Sequence, residues 1–258
     1  MKKFAAITAF TALSFGMFAQ NTWRWGLTIG SVDNPSRYSG GMSNAAAIFN
    51  HNRFEGGYLG VIARKTYCPH FSAEIGLEAV TYGFRYEIAQ DYSLNQKGGS
   101  GTINQVKFGI LNIPITGIFN SNYNCSNWRW YAGLGLSFAM GGQPKDITSS
   151  SNPSDAVTGN TTISSYINQD VHFAPVISPQ GHIVVGIEKL LRSGRMLSAG
   201  FTFNKGFTPL ATSTVNYTAN NQGYQHSFTN YGTYTGVTIK YYFKSHGGAK
   251  TLQATAGK

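Results

Sequence analysis

The stretch Tyr234 to Phe243 reads Tyr-Thr-Gly-Val-Thr-Ile-Lys-Tyr-Tyr-Phe. With the two-residue period of a strand, Val237, Ile239, Tyr241 and Phe243 share one face, and Gly236, Thr238, Lys240 and Tyr242 the other. In a soluble sandwich the apolar face would cover a core and the lysine would meet water. In a membrane barrel the apolar face meets lipid, while Gly, Thr and Lys point into a polar lumen. A strand of the second kind must close against the first strand of the sheet, because an unpaired edge cannot lie in hydrocarbon.

The rest of the chain supplies the partners that closure needs. The alternation predicts strands at about 22–31, 54–66, 71–86, 104–120, 128–140, 179–191, 196–207 and 234–243. Trp23, Trp25, Leu27 and Ile29 alternate with Arg24, Gly26, Thr28 and Gly30, and the fifth strand repeats the Trp-Arg-Trp opening at Trp128 to Trp130. Connections alternate between short turns, near Cys68, Cys125 and Arg192, and long Gly/Ser/Thr/Asn-bearing loops. The fold expected is all-β: an eight-stranded antiparallel up-and-down transmembrane β-barrel, short turns at one rim and long loops at the other. A Greek-key sandwich predicts no such strict alternation. Trp23, Trp25, Trp128 and Trp130 then form an aromatic girdle at the periplasmic rim. The longest loop, about Pro144 to Asn168, has few apolar anchors and is expected to be exposed and mobile.

The ends place the barrel in an exported chain. Lys2 and Lys3 precede an apolar stretch, so residues 1–20 read as a cleaved signal peptide, 21–243 as the barrel, and 244–258 as a basic, disordered periplasmic tail. No later run approaches the ~18 apolar residues of a membrane helix. The formal charge of +10 becomes +8 once Lys2 and Lys3 are removed. The basic residues are dispersed rather than clustered, which argues against nucleic acid and favours outer-membrane lipid and lipopolysaccharide as the counter-charge. Two cysteines are too few for a disulfide framework. In an oxidising compartment, however, Cys68 and Cys125 on one rim are expected to form a single structural disulfide, if the second turn folds back along the rim.

Ile110-Leu111-Asn112-Ile113-Pro114-Ile115 resembles the fourth-strand signature of the PorT-like outer-membrane β-barrel family. Tyr131-Ala132-Gly133-Leu134-Gly135 and Val185-Gly186-Ile187-Glu188 resemble its fifth and sixth strands. The closing strand, ending on an aromatic, also resembles the C-terminal signal of bacterial outer-membrane barrels. The PorT-like likeness implies an outer-membrane protein, and admits a role as accessory subunit of a secretion or envelope-biogenesis machine. Asn112 stands where the family often has Glu. Pro114 cannot donate to a ladder, so a bulge or a non-bonded position is expected around it.

An eight-stranded barrel is just wide enough to be filled by side chains. The inward face offers Arg24, Arg64, Glu74, Glu78, Arg129, His182, Glu188 and Lys240, whose opposite charges should pair into a rigid plug. A sharper reading is a narrow polar path, or a catalytic carboxylate with His182. No Gly-x-Ser-x-Gly elbow, His-Glu-x-x-His or Cys-x-x-Cys occurs. His226-Ser227 is the only His-Ser dipeptide in that order, and on a strand its members face opposite ways. The expectation is therefore a non-enzymatic outer-membrane protein of a Gram-negative bacterium. It needs no metal or cofactor, is inserted by the barrel-assembly machinery, and has loops for surface interaction or for an envelope protein partner.

Overall fold

A computed structural model of the chain describes residues 22–39, 49–89, 101–141, 147–151, 156–158, 161–163, 167–173, 177–219 and 222–244. Residues 1–20, expected to be a signal peptide, and the tail from residue 245 lie outside the described residues. In chain order the strands are β1 (Thr22–Asn34), β2 (Arg37–Ser39), β3 (Phe49–Asn52), β4 (Phe54–Cys68), β5 (Phe71–Ala89), β6 (Gly101–Asn120), β7 (Trp128–Met140) and β8 (Ile147–Ser151). They continue with β9 (Ala156–Thr158), β10 (Thr161–Ile163), β11 (Ile167–Phe173), β12 (Ile177–Leu190), β13 (Met196–Gly206), β14 (Ala211–Ala219), β15 (Gln222–Asn230) and β16 (Tyr234–Tyr242).

Eight of these close into a ring in the order β5-β4-β1-β16-β13-β12-β7-β6, with β6 pairing back onto β5. Every pairing is antiparallel, and β16 meets β1 with Thr28 opposite Lys240 and Ile29 opposite Ile239. Closure leaves the barrel no free edge, the condition a strand array must meet in hydrocarbon. The sequence places these eight strands to within a few residues of their observed ends.

The outer surface is banded. Lys65 and Lys189 mark one limit; Asp33, Glu55, Lys107 and Lys205 mark the other. Between them the outward positions are apolar or glycine, apart from Ser31, Thr81 and Thr235. On β6 the band runs from Phe119 to Gly109, which at ~3.3 Å per residue and a tilt of ~40° is about 25 Å tall. Leu134, Phe201 and Trp130 are 66%, 69% and 71% exposed, values a water-soluble protein of this size rarely gives a whole belt of large apolar side chains.

Pro114 occupies a non-bonded position. The β5–β6 ladder pairs Ile75 with Ile115 and resumes with Glu78 opposite Asn112, skipping Gly76–Leu77 against Ile113–Pro114. The register is the same on both sides, so no residue is inserted and the ladder merely opens. Gly76 makes room there: a Cβ on it would lie 3.0 Å from Pro114 Cγ.

The expectation that the long connections are plain loops is corrected. They supply a second antiparallel sheet, β2-β15-β14-β11-β8, beyond the band. Within the segment expected to be mobile, β8 pairs with β11 from Val171–Ile147 to Ile167–Ser151, and β9 pairs with β10; residues 144–146, 152–155, 159–160 and 164–166 lie outside the described residues. The physical reason is alternation at low hydrophobicity. Ala211, Ser213 and Val215 on β14, with His226, Phe228 and Asn230 on β15, are buried, while Thr212, Thr214, Ser227 and Thr229 are half-exposed. The buried faces cover an aromatic cluster on the long β5–β6 hairpin: Tyr82, Phe84, Tyr86 and Phe108 join Val171, Val215, Phe228 and Tyr234.

Candidate functional site

The lumen is built in layers, because inward positions at one depth come from all eight strands. Next to the short turns lies the charged layer. Arg64 on β4 is 1% exposed; its Nε donates to Glu74 Oε2 at 3.1 Å, and its Nη1 donates to Glu188. Arg129 Nε donates to the second oxygen of Glu188 at 2.7 Å. Lys240 and the Tyr242 hydroxyl both donate to Glu74. Arg64 also lies over the Tyr242 ring, 4.6 Å from its centroid. Each carboxylate therefore bridges two cations, the arrangement that offsets the desolvation of buried charge.

Glu78, further from the turns, is buried beside Lys240 and Asn112 rather than in one of these bridges. Arg24 stands at the rim and donates to the Gly194 carbonyl at 2.7 Å. So Arg64, Glu74, Arg129, Glu188 and Lys240 come together as one network. Arg24 and Glu78 are placed at its two ends.

The middle layer is neutral and small. Ser137 donates to Asn112 Oδ1 at 2.6 Å, and His182 Nδ1 sits 2.8 Å from Asn204 Oδ1. His182 thus has an amide partner where a catalytic histidine would have a carboxylate orienting it. Inward glycines accept the large neighbours; a Cβ on Gly200 would meet the Tyr131 hydroxyl at 2.5 Å. The cavity among Tyr58, Glu74, Glu78, His182 and Lys240 has a volume of about 10 Å³, close to the minimum for a single water.

The outer layer belongs to the second sheet. Tyr86 on β5 donates to Gln169 Oε1 at 3.1 Å, and Gln169 Nε2 donates to Ser213 Oγ at 2.8 Å. Burial raises the pKa of Tyr86 and lowers that of His226, each favouring its neutral form. Asn230 Nδ2 donates to the Gly83 carbonyl at 3.2 Å, and Asn34 Nδ2 to the Thr233 carbonyl at 2.6 Å, which fastens the sheet to the barrel wall. This layer is the part of the site that sequence reasoning missed. The available signal was the alternation of Ala211, Ser213 and Val215 with threonines on β14 and of His226 and Phe228 with Ser227 and Thr229 on β15, the two runs separated in sequence by Asn220-Asn221, a residue type that tolerates positive φ.

The expected disulfide is corrected: Cys68 and Cys125 are both free. Asn124 Oδ1 accepts from the backbone amides of Ser126, at 3.0 Å, and Trp128, at 2.9 Å, and Asn127 adopts a left-handed backbone with φ of 62°. That geometry turns the second connection over the lumen instead of along the rim. Tyr123 accordingly packs under the Arg129 guanidinium, 4.6 Å from ring centroid to Cζ, and its hydroxyl reaches Met196 Sδ at 3.8 Å. Cys125 is left exposed.

Trp23, Trp25 and Trp130 face outward at the short-turn rim, and Trp128 is half-buried beneath Lys189. Among the described residues no group of three or more His, Cys, Asp or Glu is arranged to hold a metal ion.

No protein-family model and no curated protein matches the sequence. Among solved structures, the outer membrane protein OprG from Pseudomonas aeruginosa gives a TM-score of 0.47 at 9% identity, covering 88% of this chain and 98% of that one. AlkL, an outer membrane protein solved in DMPC lipid bilayers, gives 0.39 at 11%, covering 90% and 94%. The E. coli outer membrane protein W gives 0.36 at 12%, covering 88% and 100%. At these scores the eight-stranded barrel rests on the chain's own strand pairings.

Proposed function

We propose that the chain is an integral outer-membrane protein of a Gram-negative bacterium, exported by residues 1–20 and inserted by the barrel-assembly machinery. Its role is structural or surface-interacting, carried by the outer sheet, with no catalytic centre in the lumen. One observation carries this reading: an apolar exterior band encloses a lumen that a buried ion-paired layer crosses from wall to wall. The ion-paired layer spans the ring from β4 to β12, and the cavity beside it among Tyr58, Glu78 and His182 is about 10 Å³. A barrel so plugged offers hydrated solutes no continuous path.

The test is reconstitution of the purified chain into planar bilayers and vesicles. The expected result is stable insertion, with no stepwise ion conductance and no release of a trapped sugar. Discrete conductance steps would overturn the plug. The resemblance of Ile110 to Ile115 to the PorT-like fourth-strand signature supports one second reading, an accessory subunit of a secretion or envelope-biogenesis machine. A stoichiometric protein partner recovered from mild detergent extracts would favour that alternative.

A further inference from the structure

At the short-turn rim the outward positions of β4 run Val61, Ala63, Lys65. Ala63 lies between Trp25 of β1 and Ile75 of β5 in the ladder, so one methyl group is set among larger side chains. The result is an apolar groove of about 710 Å³, lined by Trp23, Trp25, Val61, Ile75, Leu77 and Ile113, in the size range of ligand sites. Its floor reaches the β5–β6 seam where the ladder opens beside Pro114.

The groove ends under a cation. Lys65 Nζ lies 5.5 Å from the Trp23 ring centroid and 5.1 Å from that of Tyr67. Rings hold the ammonium in place without neutralising it. Lys189, Arg192, Arg195 and Lys244 belong to the same rim. Among the described residues, Glu74, Glu78 and Glu188 face the lumen, while Asp33, Glu55, Glu87 and Asp170 belong to the opposite end. A positive rim above an apolar groove fits a molecule with an anionic head and a hydrocarbon tail.

We propose that this groove is a binding site for an anionic glycerophospholipid, its acyl chain along Trp25, Ile75 and Ile113 and its phosphate against Lys65. The proposal rests on the membrane-embedded reading above. A zwitterionic lipid brings its own ammonium group beside the phosphate, which competes with Lys65; an anionic one does not.

The chain has four tryptophans, so a Trp128→Phe/Trp130→Phe variant leaves Trp23 and Trp25 as the fluorescent reporters. The full-length variant is placed in phosphatidylcholine vesicles containing brominated-chain phosphatidylglycerol or brominated-chain phosphatidylcholine. Quenching by the brominated phosphatidylcholine reports insertion, and the ratio of the two quenching constants reports the site. The expected ratio is about fivefold in favour of phosphatidylglycerol. It falls to one in Lys65→Gln and is unchanged in Lys189→Gln. Equal constants in the parent, or a preference that survives Lys65→Gln, would overturn the site while leaving membrane insertion intact; no quenching by either lipid would overturn both. Native mass spectrometry of the unsubstituted chain is the second readout: retained phosphatidylglycerol should be lost in Lys65→Gln.

Discussion

Arg64 and Glu188, separated by 124 residues in sequence, form an ion pair across the lumen between β4 and β12. These strands stand four places apart in the eight-strand ring, on opposite walls. Neighbouring strands are already held by ladder hydrogen bonds. A pair between opposite walls adds something a ladder cannot, fixing the width of the barrel and blocking its axis with one contact.

Glu188→Gln removes the carboxylate shared by Arg64 and Arg129, leaving Arg129 buried without its carboxylate partner and Arg64 with Glu74 alone. The expected loss is about 3–5 kcal/mol of unfolding free energy, measured by urea denaturation in vesicles. A combined Arg129→Met/Glu188→Met replacement should recover a large part of that loss, because it leaves Arg64 and Lys240 paired with Glu74 and no buried cation uncompensated. Equal destabilisation of single and double variants would refute that account.

Most of the barrel is legible from sequence because its period-two alternation is set by two different solvents, lipid outside and packed polar groups inside. Val237 and Lys240 report opposite faces without any knowledge of their partners. The pairing itself is not legible: nothing local to Glu188 says that Arg64 meets it, since that depends on ring closure and register. The second sheet escapes for another reason. Val215 and Phe228 are isolated apolar residues among Ser, Thr and Asn, and their alternation gains meaning only against the Tyr86 and Phe108 face that they cover. Cys125 shows the same limit, since the path of its turn is decided by Asn124 and Asn127 rather than by rim distance.

Leu134 lies midway along the outward face of β7. Leu134→Arg should cost about 2–4 kcal/mol in a lipid bilayer, with lumenal contacts untouched. Equal folding yields of variant and parent in vesicles would count against a lipid-facing band.

Without reductant, the denatured chain should take up two maleimide groups, one on each of Cys68 and Cys125. In the folded chain Cys125 should react first, being exposed, with half-buried Cys68 slower. Intact mass gives the number and peptide mapping the order. A chain that labels only after reduction would restore the disulfide.

His226 on β15 is 1% exposed, and burial lowers its pKa. The unfolded state therefore binds a proton at a higher pH than the folded sheet does, so stability rises with pH across that window. Its contribution is complete above the ordinary histidine value of ~6.5 and is lost as pH falls toward the lowered folded value. Amide exchange in β14 and β15 should accelerate between pH 7 and pH 5 after correction for intrinsic rates. His226→Gln should remove the pH dependence of that protection.

The outer sheet and the barrel should also separate mechanically. Phe108 stacks on Tyr82, with centroids 6.1 Å apart, and meets Phe84 at 5.9 Å and Phe173 edge-on at 5.3 Å. It thus joins β5 and β6 to β11, at a depth where the neighbouring outward position on β6 is already Lys107. Truncating a buried phenylalanine costs ~3–5 kcal/mol where the site cannot collapse. The ion-paired layer lies at the other end of the lumen and shares none of these contacts. Phe108→Ala should therefore raise exchange and proteolysis across β11, β14 and β15, while the band and the Arg64–Glu188 layer keep their protection. Loss of protection throughout the barrel would show instead that the two ends unfold as one unit.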